Sequence, residues 1–159
     1  MKLHTRSKLL FATLALSCLM LFPAHAAETK AEYRTEAATT RTELQEVKDE
    51  LKTLQEENSA IAEKYRAVRT SWKENQSLPI SEENWEKAKE LRAEIKAIRD
   101  AMPENTAPEQ RASIKAAVEN EDYTAALSTL DQLLETKKAA LEPRKEINRI
   151  WKEIEELLQ

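Results

Sequence analysis

Leu44, Val47, Leu51, Leu54, Asn58, Ile61, Tyr65, Val68 and Trp72 follow one another at alternating spacings of three and four residues. That is the 3.5-residue period of a helical seam, and a strand would scatter the same residues over both of its faces. At 1.5 Å per residue the run makes about 43 Å of helix. The flanks of the seam are charged, and the chain contains no glycine to interrupt it. Ala, Glu, Lys, Arg and Leu dominate the rest, and these are the strong intrinsic helix formers. A charged fraction of 34% leaves room for only a thin apolar core. The expected fold is all-α, an elongated antiparallel helical bundle or coiled coil.

The seam is preceded by a different kind of segment. Lys2, Arg6 and Lys8 lead into an apolar stretch from Leu9 to Phe22, and Pro23-Ala24-His25-Ala26 ends in the small-x-small form that signal peptidases cut. Residues 1–26 read as a secretory signal peptide cleaved after Ala26. As a retained helix the apolar stretch would reach only about 21 Å, against a hydrocarbon core of roughly 30 Å. Ala15-Leu16-Ser17-Cys18 lacks the Leu three before the Cys that lipidation uses, and more apolar residues follow it. The expected product is exported, periplasmic or extracellular, soluble, and without a membrane span.

Cleavage removes both histidines (His4, His25), the cysteine (Cys18) and both phenylalanines (Phe11, Phe22). Imidazole acid-base catalysis, thiol nucleophiles and imidazole or thiolate metal sites go with them. The lack of glycine rules out a phosphate-cradling loop. The sequence therefore predicts no enzyme, no cofactor and no metal. Three cations leave with the signal while all 29 acids stay, so the mature chain is more acidic than the −4 of the whole. Nucleic acid is a poor match for that charge.

Within the mature chain, residues 27–42 are rich in Ala, Thr and Glu with Tyr33 as the one large apolar group, which predicts a fraying segment or docking arm. The bundle domain is expected over 43–159, with helices at about 43–75, 82–102, 107–119 and 122–158. Pro79 stops the first. Ser81 can cap the second, whose Trp85 would pack on Ile80 as a hydrophobic staple. Thr106-Ala107-Pro108-Glu109 has the form of a capping box. Asn120-Glu121-Asp122 makes a turn with Asn as the left-handed residue and Asp as the next cap. Pro143 predicts a kink or short break in the last helix. Helices two and three laid end to end span about 57 Å and the last helix about 54 Å, which suggests three antiparallel layers.

Thr106-Ala107-Pro108-Glu109-Gln110-Arg111 resembles the Leu-Thr-x-x-Gln motif of the Spy/CpxP family of small exported all-helical stress chaperones, with Asn105 in place of the Leu and Gln110 four residues after the Thr. That resemblance implies an ATP-independent holdase for unfolded clients. Asn120 to Leu127 is similar to the inter-helix turn of tetratricopeptide-like hairpins, although no 34-residue repeat follows.

Three surfaces stand out as candidates for interaction. Lys138, Lys145, Arg149 and Lys152 share one helical face, which could meet an acidic partner, an anionic lipid surface or the acid-rich second helix. Trp72, Trp85 and Trp151 lie on inward stripes, where core packing competes with a role for Trp72 and Trp151 as binding hot spots. The seam from Leu44 to Trp72 could pair two chains, with Asn58 setting register, but Tyr65 and Trp72 are bulky for a two-stranded coil and Lys64 would face Arg69 of the second chain. Glu86, Glu90 and Glu94, and the Glu119-Glu121-Asp122 cluster, have no EF-hand pattern and read as solvated faces or helix starts. Two functions are expected from this set: a non-enzymatic envelope protein acting through a protein partner, or the holdase.

Overall fold

The computed structural model describes residues 27–75 and 79–159. The signal peptide expected at 1–26 lies outside them. Five helices follow in order: α1 (Lys30–Asn75), α2 (Glu82–Ala101), α3 (Ala107–Glu119), α4 (Tyr123–Ala139) and α5 (Leu141–Leu157). The fold is an all-α helical bundle. α4 and α5 form its central layer: α1 packs along both, α3 on α4 and α2 on α5. No Cα of α1 comes within 8 Å of one in α2 or α3. The α2–α3 layer expected from its length is therefore present, and it meets α1 through side chains such as Tyr65 and Trp85 rather than by close backbone approach.

α1 is longer at its start than expected. Residues 30–42 are helical rather than frayed, and a capping box that the sequence reading passed over begins them. Thr29 N–H donates to Glu32 Oε2 at 2.9 Å, and Glu32 N–H donates to Thr29 Oγ1 at 3.3 Å. The bonds its carboxylate accepts from Thr29 N–H, then Glu28 N–H, hold the Glu32 carboxyl below its usual range. The segment is also anchored. Tyr33 stacks on Tyr123 with centroids 5.7 Å apart, Arg41 donates to the Tyr33 hydroxyl at 2.9 Å and lies over its ring, and Thr40 donates to Asp131 at 3.0 Å. Ala37 is fully buried, so the small side chains that looked too weak to hold a helix serve close approach to the bundle.

Other boundaries follow local chemistry. Ser81 accepts from Asn84 N–H and Asp122 from Ala125 N–H, as their cap positions predict. Thr106 makes no side-chain cap bond, because its backbone (φ −82°, ψ 3°) is not in the extended region that aims a capping oxygen at the helix. The left-handed residue of the next turn is Glu121 (φ 60°) and not Asn120 (φ −88°). Pro143 sits in the first turn of α5, where its missing N–H costs least, and the chain breaks at Ala140, ahead of it.

Two apolar clusters fill the bundle. One joins Tyr33, Leu44, Tyr123, Leu127, Leu130 and Leu134; the other joins Ile61, Trp85, Ile95, Ile147, Trp151 and Ile154. On α1 the polar Asn58 falls between them, buried, and accepts from Asn148 Nδ2 at 3.0 Å. The amide expected to find a partner has one across the seam. Trp85 and Trp151 are buried, as their stripes predict, but Trp72 is 41% exposed and touches the core only edge-on at Trp85. It lies near the end of α1, where no central-layer residue covers it.

If the first helix depends on the Tyr33 anchor, Tyr33→Ala should cost roughly 3 kcal/mol in urea denaturation and expose 27–42 to protease while the rest stays folded. An unchanged midpoint and an unchanged digestion pattern would show that this segment is not anchored there.

Candidate functional site

Charges on α1 are sorted across its seam. Glu43, Glu50 and Glu57 recur every seven residues on the side immediately preceding seam positions. Lys138, Lys145 and Lys152 recur with the same period on α4 and α5. The two rows pair in order: Lys138 with Glu43 at 2.9 Å, Lys145 with Glu50 at 3.0 Å and Lys152 with Glu57 at 3.1 Å. Pair order rises along both chains, so α1 runs parallel to α4–α5, and Lys64 with Glu155 extends the row. Donating to the Glu43 and Glu50 carboxylates raises the Lys138 and Lys145 pKa values, and the bond accepted from Asn148, then Lys152, lowers that of Glu57.

The basic face picked out from sequence is thus engaged within the molecule. Lys138, Lys145 and Lys152 meet α1, not the acid-rich second helix, and Arg149 bonds Glu146 and Glu153 on its own helix. Trp151 is buried, and Trp72 lies apart from these cations at the far end of α1. The candidate residues do not form one site.

The other flank of α1 is different. Lys48, Lys52, Gln55, Ser59, Ala62, Arg66 and Arg69 each follow a seam position, and none is acidic. This flank faces the gap between α1 and the α2–α3 layer. Arg92 and Arg99 come into the same gap from α2, Arg111 from α3, Lys137 from α4 and Arg144 from α5. From Lys48 to Arg69 the trough runs about 31 Å along α1. Its upper cavity, about 220 Å³, is floored by Tyr65, Ile147 and Trp151. Its lower cavity, about 790 Å³, includes Leu51 and Met102 and one acid, Glu104. Arg99 and Arg144 line both.

These cations have few partners. Lys52 pairs with Glu56, and Arg92 lies 5.5 Å over the Trp151 ring. Lys48, Arg66, Arg69, Arg99, Arg111, Lys137 and Arg144 make no ion pair or side-chain hydrogen bond with any other described residue. Partial burial, then Arg92 and Arg144, pushes the Arg99 pKa down. Partial burial, then Arg111, Arg144 and Lys48, does the same to Lys137. The signal for this trough was in the sequence, as the charge difference between the two flanks of one seam, but the flanks were read together as merely charged.

Among the described residues there is no group of His, Cys, Asp and Glu arranged to hold a metal, and no helix long and apolar enough to cross a membrane. No family model, curated protein or solved structure matches the chain.

Opposite signs of charge effect should separate the two flanks. A lysine whose folded pKa is depressed is penalised while charged, so at neutral pH Lys137→Met should stabilise the fold by up to about 1 kcal/mol after solvent screening. Lys145 has a raised folded pKa and stabilises at every pH below its ordinary value, so Lys145→Met should lower the melting temperature. Equal shifts of the same sign would refute the assignment of paired and unpaired rows.

Proposed function

We propose that the protein is exported to the cell envelope and acts there without catalysis, by protein–protein interaction, with the lower part of the basic trough receiving an acidic segment of its partner. The observation that carries this reading is the concentration of unpaired cations in one channel of a net acidic chain. Clustered charge of one sign speeds encounter with a complementary segment and rejects partners of the same sign. Lys48, Arg111 and Lys137 supply the charge, while Leu51 and Met102 offer apolar contact, in a space large enough for several side chains.

The non-enzymatic role rests on the sequence, whose two histidines and one cysteine all lie in the segment expected to be cleaved. The Thr106 motif favours the alternative of an ATP-independent holdase of the Spy/CpxP type. A holdase works through accessible apolar surface, whereas Trp72, itself more than half covered, is the one exposed large hydrophobic among the described residues. The seam that could have joined two copies is packed on α4 and α5, which supports a single chain offering the trough.

Polyglutamate is a suitable probe. It should bind with an affinity that falls as salt rises, and the Lys48→Glu/Lys137→Glu double variant should weaken binding by at least about tenfold, or 1.4 kcal/mol. Crosslinking in cells from position 111 should then recover one dominant protein. Salt-independent binding, insensitivity to the double variant or a diffuse smear of captured proteins would contradict the proposal.

A further inference from the structure

The upper cavity makes a sharper demand than the rest of the trough. Five guanidinium groups line it, those of Arg66, Arg69, Arg92, Arg99 and Arg144, and no acid does. Arg92 is engaged only with the face of Trp151, and the other four have no hydrogen-bonding or ionic partner among the described residues. Arginine cannot relieve such crowding by losing its proton, since its ordinary pKa is above about 12. Lysines in the same place could have discharged. Arg66, Arg69, Arg99 and Arg144 are solvent-exposed, so an anion from solution can reach the cluster and neutralise it.

Charge density narrows the choice of anion. The cavity of about 220 Å³ opens to solvent, so a ligand need place only its charged groups within it. An acidic peptide brings a single charge with each whole residue, whereas here five arginines line one cavity. A phosphoryl group brings about −1.5 to −2 and three acceptor oxygens in little more than the space of two waters. The planar fork of arginine matches its oxygens in pairs. We propose that the upper cavity is a binding site for a compact ligand carrying two or more clustered phosphoryl groups, held by Arg66 and Arg69 from α1, Arg92 and Arg99 from α2, and Arg144 from α5.

This site is separable from the proposed protein contact. Arg66, Arg69 and Arg92 line only the upper cavity, while Lys48, Arg111 and Lys137 line only the lower one. Arg99 and Arg144 belong to both, so an occupied upper site lowers the positive charge presented at the head of the lower trough. The source of the phosphoryl groups, a free oligophosphate or a lipid headgroup, is distinguished by presenting each.

The test is calorimetric titration of the purified protein with inorganic pyrophosphate and tripolyphosphate at physiological ionic strength, with citrate as the carboxylate control. Sedimentation with vesicles containing phosphatidylinositol bisphosphate, whose headgroup carries clustered phosphoryl groups, gives the lipid arm. The expected result is saturable binding with one ligand per chain, a raised melting temperature, and at least a tenfold loss in Arg69→Ala with little change in Lys48→Ala. Arg69 is exposed and outside both apolar clusters, so its variant keeps the fold, which helical circular dichroism verifies. Oligophosphate binding assigns a soluble ligand. Sedimentation lost in Arg69→Ala, with no oligophosphate binding, assigns a headgroup. Citrate binding as tight as pyrophosphate, equal losses in the two variants, or no saturable binding of any phosphoryl probe would overturn the proposal. Polyglutamate binding that persists through such a failure would leave the protein-contact reading standing.

Discussion

The ladder joining Glu43, Glu50 and Glu57 to Lys138, Lys145 and Lys152 sets the rotation of α1 on the central layer. Each pair is exposed enough that its own contribution is small, as for other surface ion pairs. Their common seven-residue period is what gives them weight, because turning α1 about its axis would leave the whole row unmatched, although a one-heptad slip would still pair Glu43 with Lys145 and Glu50 with Lys152. The Asn58–Asn148 amide pair adds a second register mark inside the seam, where a one-heptad slip would bury two amides without partners. Apolar packing supplies the driving force, and the polar contacts choose among alignments that packing alone would tolerate.

The trough follows from that rotation. With the acidic flank of α1 turned to the lysines of α4 and α5, the opposite flank has only the gap towards α2 and α3 left to face. Arg92 and Arg99 on α2, and Lys137 and Arg144 on the central layer, are each spaced seven apart, so the same periodicity brings their cations into the same channel. Large aromatic side chains hold the far end of the gap together. Tyr65 stacks on Trp85 at 5.0 Å and meets Trp151 edge-on at 6.2 Å, bridging α1 to the second layer where no backbone approach does so. The opening is a consequence of how three layers share one central pair of helices.

Much of this was legible in the sequence. The heptad seam, the cap at Ser81, the break near Pro143 and the buried positions of Trp85 and Trp151 follow from spacing and local backbone rules. What was not legible depended on a partner in space. Tyr33 looked isolated because the ring it stacks on lies on α4, ninety positions later. Lys138, Lys145 and Lys152 looked like a free basic face because nothing local says that their matching acids lie on the first helix. Trp72 carried the seam period but outran its neighbour. The trough needed two further steps, separating the flanks of α1 by sign and knowing which flank the central helices cover.

Zero-length carbodiimide coupling, which joins only lysines and carboxylates in direct contact, tests the ladder most directly when followed by peptide mapping of the monomeric product. The account predicts links from Lys138 to Glu43, Lys145 to Glu50 and Lys152 to Glu57 within one chain, with none from Lys48 or Lys137. Links of these lysines to the acids of α2, or links found only between two chains, would contradict it.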